Sequence, residues 1–169
     1  MDSEANFVSD YRKARRQFIA ACEWAGADAI SRVHPAKGPD GKALFCDSAA
    51  FGPRGAARAL LLIAGPPLTD LLRRGLVLAQ GARLVAVHAL DPFALAWGRP
   101  GVPVDWPQKT LAAIAAEDLR LAKNLTLLDL DGRVAGATVA AVLPQASVTY
   151  RAVKPEHAEQ AFLSAIAAL

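Results

Sequence analysis

The chain contains 169 residues, of which 53% are hydrophobic and 21% are charged. This composition excludes intrinsic disorder and supplies enough apolar side chains for the core of a single domain over residues 1–169. The formal net charge is only +3, and the basic cluster near the N-terminus has no aromatic residues alternating with it that could stack on bases. We therefore interpret that cluster as a solvated helix face and expect no nucleic acid among the partners; it comprises Arg12, Lys13, Arg15 and Arg16.

The first predicted element is an amphipathic helix over about residues 5–25. Apolar residues recur at helical spacing from Phe7 to Ala25, and Gly26 ends the pattern. A hairpin follows, in which strands from Ala29 to His34 and from Ala43 to Asp47 flank the turn sequence Gly-Pro-Asp-Gly.

The central part of the chain predicts a βαβ unit. A wholly apolar strand from Arg58 to Ala64 is followed by a helix from about Leu68 to Ala79 and by a strand from Arg83 to Leu90. Beyond a loop rich in Gly and Pro, the pattern predicts a helix from about Gln108 to Lys123 and another buried strand from Leu125 to Leu130.

The C-terminal segment begins with an ambiguous stretch. Val134 to Leu143 is compatible with a strand or with a loosely packed apolar segment, because it combines Gly136 with several alanines. Ser147 to Val153 alternates as a strand, and Lys154-Pro155-Glu156 starts a final helix. Together these elements predict an α/β fold, a three-layer α/β/α sandwich with a mixed, mostly parallel sheet.

Two further patterns bear on the compartment and on redox chemistry. The N-terminus does not resemble a secretory or transit signal, and the longest apolar stretch, from Ala56 to Leu72, is interrupted by charges and prolines and falls short of the roughly 20 apolar residues of a membrane span. We therefore expect a cytoplasmic protein with no membrane partner. Cys22 and Cys46 lack the spacing of metal ligands or of a redox pair, and we interpret both as buried thiols.

The carboxyl end of the apolar strand is where an α/β protein places its ligands. Here the strand ends at Gly65, followed by Pro66 and Pro67. Proline has no side-chain donor, acceptor or metal-binding lone pair, so these residues shape the turn but take no part in chemistry. The sequence also contains no nucleophile elbow, phosphate loop or dinucleotide-binding glycine motif.

Several short strings occur in a fixed order within residues 10–97. They are Asp10-Tyr11-x-x-Ala14-Arg15-x-x-Phe18, His34-Pro35 with Gly38-Pro39-Asp40-Gly41, Phe51-Gly52-Pro53-Arg54, and His88-Ala89-Leu90-Asp91-Pro92-Phe93-Ala94-Leu95-Ala96-Trp97. In these strings the chain resembles a bacterial family of uncharacterised domains that is similar to zinc metallocarboxypeptidases. The resemblance implies the fold of a truncated zinc carboxypeptidase core.

The resemblance also implies where zinc ligands would stand. In that family a Gly-Thr-His-Gly-Val-Glu string after the strand supplies a His and a Glu, and a later Asp-Leu-His-Thr-Gly string supplies a second His. Gly65 matches the family glycine, but Pro67, Asp70 and Asp131 occupy the three ligand positions. Hydrolytic zinc needs about three protein ligands and an open position for water, so we expect no metal and no cofactor here. Two separated aspartates would suit magnesium better than zinc, but they would bind magnesium only weakly without further oxygen ligands nearby.

The substrate-side motif of the family survives in part. Arg99 matches the arginine that polarises a scissile carbonyl, and Asp105 matches the Asp of a Val-Asp-Leu-Asn-Arg string. Residues 106–108, Trp-Pro-Gln, replace Leu-Asn-Arg. The resemblance therefore implies loss of the pair that grips a substrate carboxylate, because glutamine lacks the charged bidentate fork of arginine.

The histidines and Asp91 have plainer interpretations. His34 lies in a turn and His88 ends a buried strand, so for each we expect a structural role with the ring nitrogens bonded to nearby backbone. Asp91-Pro92 most simply caps the turn after its strand.

We therefore expect a non-catalytic relative of zinc carboxypeptidase-like hydrolases that binds a small molecule or a peptide, or associates with another protein. The alternative is a hydrolase of peptides or amides with a remodelled, zinc-independent site in which Asp70, Asp131, His88 and Arg99 converge. We also expect a homodimer, because a shortened sheet leaves an apolar edge or face to cover. The candidate residues of the vestigial pocket are Gly65, Pro67, Asp70, His88, Asp91, Arg99, Asp105 and Asp131.

Overall fold

The protein is represented by a computed structural model that describes residues 2–64, 77–130 and 136–169. The helices are α1 (Asp2–Trp24), α2 (Pro92–Trp97), α3 (Trp106–Asp118), α4 (Gly136–Val142) and α5 (Ala158–Ala167), the last preceded by a 3-10 turn (Pro155–His157). The strands are β1 (Ala29–Lys37), β2 (Ala43–Phe51), β3 (Arg58–Ala64), β4 (Ala82–His88), β5 (Asn124–Asp129) and β6 (Ser147–Ala152).

All six strands form one mixed sheet in the order β1-β2-β4-β3-β5-β6. The hairpin strands β1 and β2 are antiparallel, and β2 is antiparallel to β4. The remaining pairs, β3 with β4, β3 with β5 and β5 with β6, are parallel. The predicted hairpin and the mixed, mostly parallel sheet are thus confirmed.

The central strand β3 is buried on both faces, which explains its unbroken apolar sequence. Leu60 and Leu62 pack in a core with residues of α1 and α5. Leu61 and Ile63 point the other way, into a core with residues of α3 and α4. Helices therefore cover both faces of the sheet, and the predicted three-layer α/β/α arrangement is confirmed.

The ambiguous C-terminal stretch contains a helix, so neither the strand nor the loosely packed segment predicted over residues 134–143 is correct. Alanine has the highest helix propensity, and Ala140 and Ala141 lie within α4. Val139 and Leu143, four residues apart and thus on one helical face, are buried in the core that contains α3. Of the helix predicted from Leu68 to Ala79, residues 68–76 lie outside the described ranges, and residues 77–79 are not helical.

The two edges of the sheet differ in their protection. Strand β1 is irregular between Val33 and Lys37 and contains Pro35. Both features hinder the pairing of an edge strand with a strand of another chain. In β6 all residues but Val148 are exposed. In the described parts of the chain, no helix combines the length and the apolar character required to cross a bilayer.

Candidate functional site

A surface pocket with a volume of about 670 Å³ opens beyond the carboxyl end of β4. Its wall is built from α2, the loop that follows α2 and the start of α3. The lining residues are Leu90, Asp91, Ala94, Leu95, Gly98, Arg99, Pro100, Gly101, Val104, Pro107 and Gln108. The strand end, a short helix and a Gly/Pro-rich loop therefore combine to form one concave surface.

Helix α2 begins and ends at residues of the pocket wall. At its N-terminus the Asp91 carboxylate accepts a hydrogen bond from the Ala94 amide at 2.9 Å, and Pro92 occupies the first turn. At its C-terminus Gly98 adopts a left-handed conformation, with φ of +64°, and its N–H donates to the Ala94 carbonyl. The predicted capping role of Asp91 is therefore confirmed, although the element it caps is a helix that the sequence interpretation did not predict. An Asp-Pro start and a glycine stop are the signals that would have predicted this helix.

Gly101 brings the loop against the Asp91 carboxylate. A Cβ atom at this position would lie 2.6 Å from both carboxylate oxygens of Asp91. Only a glycine leaves room for this approach, so Gly101 and Asp91 together set the shape of one side of the pocket.

Arg99 supplies a cation supported by aromatic rings. Its guanidinium carbon lies 4.7 Å from the centre of the Trp97 ring and 5.8 Å from that of Phe93. The two rings are stacked with their centres 5.8 Å apart, and the Trp97 indole N–H donates to the Lys37 carbonyl at 3.0 Å. Among the described residues, no carboxylate lies within salt-bridge distance of Arg99.

The remaining pocket wall is largely apolar. Leu90, Ala94 and Pro107 are buried, whereas Val104 stands at the rim with 80% of its surface exposed. Gln108 adds an uncharged amide at the first turn of α3. An apolar concavity with few polar groups is typical of sites for small molecules or short peptide segments.

The structure places the predicted pocket residues in different environments. Asp91 and Arg99 line the pocket together. Asp105 forms an exposed salt bridge with Lys109, whose hydrogen bond lowers the pKa of Asp105. His88 does not line this pocket. The predicted residues that lie outside the described ranges are Gly65, Pro67, Asp70 and Asp131.

His88 lies instead beneath α1. It shares a strand face with Leu84 and Ala86, which belong to the core under α1, and its ring stacks on Phe18 with the centres 5.1 Å apart. Its side chain is buried, and neither ring nitrogen has a hydrogen-bond partner within the described chain. The expectation of backbone bonding is therefore wrong for His88. Burial lowers its pKa to about 4.

The expectation of backbone bonding is confirmed for His34. Its Nδ1 accepts a hydrogen bond from the Ala36 amide at 3.0 Å, and its ring meets Trp106 edge-on at 4.6 Å. Burial lowers the pKa of His34 and thus favours the neutral ring that this bond requires.

A partly buried ion pair, which the sequence interpretation missed, adjoins His88. Asp47 is fully buried and stands opposite His88 in the pairing of β2 with β4. The Arg15 guanidinium donates from Nε at 2.8 Å and from Nη2 at 3.1 Å to its two oxygens, and Ser31 donates to one of them. Arg12 likewise donates to the Ala43 carbonyl and to Asp40. Two of the four cations assigned to a solvated helix face therefore connect α1 to the hairpin.

Within the described ranges, no three or more His, Cys, Asp or Glu side chains are grouped closely enough to hold a metal ion. Cys22 and Cys46 are buried free thiols, as predicted, and burial raises the pKa of Cys22 to about 12.

Comparison with known proteins identifies one family. Residues 7–105 match the model of the family described as protein of unknown function, DUF2817. This segment includes most of α1, all of β1 to β4 and α2, and most of the pocket wall. No curated protein matches the chain.

Similar solved structures are distant. A glutaminyl cyclase from Porphyromonas gingivalis is 17% identical with a TM-score of 0.39, over 76% of this chain and 60% of that one. A candidate Zn-dependent exopeptidase from Bacteroides vulgatus is 16% identical with a TM-score of 0.43, over the same shares. A glutaminyl cyclase from Tannerella forsythia is 13% identical with a TM-score of 0.42, over 97% and 79%. The matched region thus spans 60% of the first two proteins, and no activity is assigned to this chain from these similarities.

Proposed function

This chain belongs to the DUF2817 family of proteins of unknown function, and we propose that it binds a small molecule or a peptide in the pocket beside α2 and does not catalyse zinc-dependent hydrolysis. The observation that carries this proposal is the pocket itself. It offers about 670 Å³, a mainly apolar wall and a guanidinium held against two aromatic rings. That combination of apolar area with few oriented polar groups is what ligand sites provide.

The non-catalytic part of the proposal is supported by residue chemistry. Pro67, Asp70 and Asp131 stand where the resemblance to zinc metallocarboxypeptidases would require two histidines and a glutamate. Proline contributes no ligand at all, and aspartate oxygens favour harder cations than zinc. A water molecule would then lack the metal that lowers its pKa toward neutrality.

The alternative is a hydrolase with a zinc-independent site formed by Asp70, Asp131, His88 and Arg99. The described residues favour binding over this alternative. His88 is buried against Phe18 under α1, whereas Arg99 lines the pocket beside α2. A general base must reach the proton that it removes, and a buried ring stacked on phenylalanine is poorly placed to do so.

The proposal is tested by two measurements on the whole chain. Backbone amide NMR spectra recorded with a library of small molecules and short peptides are expected to show shifts around Leu95, Gly98 and Gly101. The variant Gln108→Trp, which fills the pocket, is expected to abolish these shifts. The neighbouring exposed variant Lys109→Trp lies outside the lining and is expected to preserve them.

The second measurement addresses catalysis. Pure protein is incubated with peptide and amide substrates in the presence and absence of added zinc. We expect no hydrolysis above the buffer rate. Zinc-dependent turnover that is retained in Lys109→Trp and lost in Gln108→Trp would reject the non-catalytic function and place an active site at the pocket.

A further inference from the structure

We infer that strand β6 pairs with the β6 strand of a second copy of this chain, antiparallel and about a twofold axis, with Thr149 opposite its own counterpart. This pairing continues the six-stranded sheet from one copy into the other. The inference is independent of ligand binding at the pocket. It combines the direction of backbone groups on β6, the difference between the two edges of the sheet and the position of the one charged residue in the strand.

Strand β6 presents backbone donors and acceptors at the edge of the sheet. Within the described chain it is the last strand of the sheet and pairs with β5 on one side only. The Ser147 amide donates to the Lys123 carbonyl at 2.8 Å, on the β5 side. Residues that bond to one neighbouring strand alternate with residues whose backbone groups face the other way. The N–H and C=O groups of Val148, Tyr150 and Ala152 therefore point away from β5.

The features that protect an edge strand from pairing are largely missing from β6. Its sequence, Ser-Val-Thr-Tyr-Arg-Ala, contains no proline and a single charge, and its register with β5 runs without a bulge from Ser147 to Ala152. Valine, threonine and tyrosine are residues that favour strands. All residues of β6 but Val148 are exposed. The strand therefore remains able to accept a further strand.

The opposite edge of the sheet makes β6 itself the partner that fits. Strand β1 is irregular between Val33 and Lys37 and contains Pro35, so it pairs poorly with a strand of another chain. A contact between β6 of one copy and β1 of the next would also join two different surfaces and leave an open chain of copies. Pairing of β6 with β6 uses the same surface twice and closes as a dimer.

The charge of Arg151 selects the register. Outward-facing backbone groups must meet each other, and they do so when Val148 lies opposite Tyr150 and Thr149 lies opposite its counterpart. Arg151 then lies opposite Ser147, which keeps the two arginines about 14 Å apart. The next register brings them to diagonal positions about 7–8 Å apart, where like charges repel. The inferred register also forms two pairs of a β-branched with an aromatic side chain, which stabilise antiparallel strands.

Charge substitutions at Thr149 test the interface and its register together. Sedimentation velocity of the wild type over a range of concentrations is expected to show a reversible monomer–dimer equilibrium. Thr149→Lys and Thr149→Glu each place like charges opposite one another, and each is expected to raise the dissociation constant at least about fivefold at low salt. An equimolar mixture of the two variants is expected to form a heterodimer, because opposite charges then face each other. Gln80→Lys adds the same charge at an exposed residue before β4 and is expected to dimerise like the wild type.

Cysteine substitutions measure the alignment of the two strands. In the inferred register the Cα atoms of Thr149 and its counterpart lie about 4.5 Å apart, within the range of a disulfide. Thr149→Cys is therefore expected to form a covalent dimer under mild oxidation. Ser147→Cys, also exposed and two residues away on the same strand, lies about 14 Å from its counterpart and is expected to stay unlinked. The native thiols of Cys22 and Cys46 are buried and do not compete.

Two results would overturn the inference. The first is a wild-type protein that stays monomeric up to its solubility limit, which would leave the proposed ligand binding untouched. The second is a dimer that Thr149→Lys does not weaken and that Thr149→Cys does not link, because the contact would then lie on another surface. Amide NMR spectra of each variant verify that it is folded, so that loss of the dimer is distinguished from loss of the fold.

Discussion

Replacing His88 by leucine is expected to make the protein more stable at neutral pH and less sensitive to acid. Both ring nitrogens of His88 are buried without a hydrogen-bond partner in the described chain, and the ring stacks on Phe18. A buried polar atom without a partner costs about 1–3 kcal/mol, whereas the lost ring contact is worth about 1 kcal/mol. For two such atoms, less the ring contact, we therefore expect the free energy of unfolding of His88→Leu to increase by about 1–5 kcal/mol.

The acid dependence follows from the pKa of His88. Burial lowers it from an ordinary value of 6.5 to about 4; the neighbouring Asp47 carboxylate opposes this effect and the Arg15 guanidinium adds to it. Between these two pH values the unfolded chain binds a proton at His88 and the folded chain does not, so stability falls as the pH decreases through this window. At 1.36 kcal/mol per pH unit the loss reaches about 3 kcal/mol. Above pH 6.5 the ring is neutral in both states and makes no contribution to the pH dependence.

Urea unfolding followed by tryptophan fluorescence measures both effects. Wild type and His88→Leu are compared at closely spaced pH values from above 6.5 to below 4, and the difference between the two curves isolates His88 from all carboxylates that titrate in both proteins. His157→Gln, which changes an exposed histidine, serves as the control and is expected to follow wild type. Parallel curves for wild type and His88→Leu would refute the assignment of a buried, unbonded imidazole.

Three further predictions concern the fold and the assembly. Asp47→Asn removes the charge that faces Arg15, and urea unfolding is expected to show a loss of about 1.5–3 kcal/mol, because charge-assisted hydrogen bonds are lost and the remaining Arg15 guanidinium is only partly exposed to water; an unchanged midpoint would contradict this. Gly52→Ala is expected to unfold the protein or to cost at least about 3 kcal/mol, since its Cβ would lie 2.2 Å from the Ala82 carbonyl oxygen at φ of +85°. Gly41→Ala, with φ of +71° and open space around it, is expected to cost only about 1 kcal/mol, and equal losses for the two variants would argue against the close approach at Gly52. Light scattering at micromolar concentration is expected to show a homodimer, and a stable monomer would reject that prediction.

The sequence predicted some residues of the pocket and not others. Asp91 and Arg99 were candidates because they follow a buried strand and match a family string, and the structure places both on one wall. Leu95, Gly101 and Gln108 were not candidates. No local pattern distinguishes a leucine, a glycine or a glutamine that lines a pocket from one that does not, because their proximity depends on how α2, its following loop and α3 pack together.

The polar contacts of Arg15, Asp47 and His88 under α1 could not be predicted from the sequence either. Arg15 has the sequence context of a solvated helix residue, and Asp47 has that of a strand end, yet they form a partly buried pair. Their contact requires α1 to cross the hairpin at one particular position. His88 was placed with the pocket because it ends β4, but strand alternation puts it on the same face as Leu84 and Ala86, under Phe18.

The sequence by itself determined the elements with strong apolar periodicity. Helix α1, the β1–β2 hairpin and strands β3 to β6 could be predicted, because burial on one or both faces leaves a repeat of 3.6 or 2 residues in the chain. Tertiary structure alone decided which polar group pairs with which, and which loop residues enclose the pocket. These features depend on contacts between segments distant in the chain, whose free energies leave no periodic trace in the local sequence.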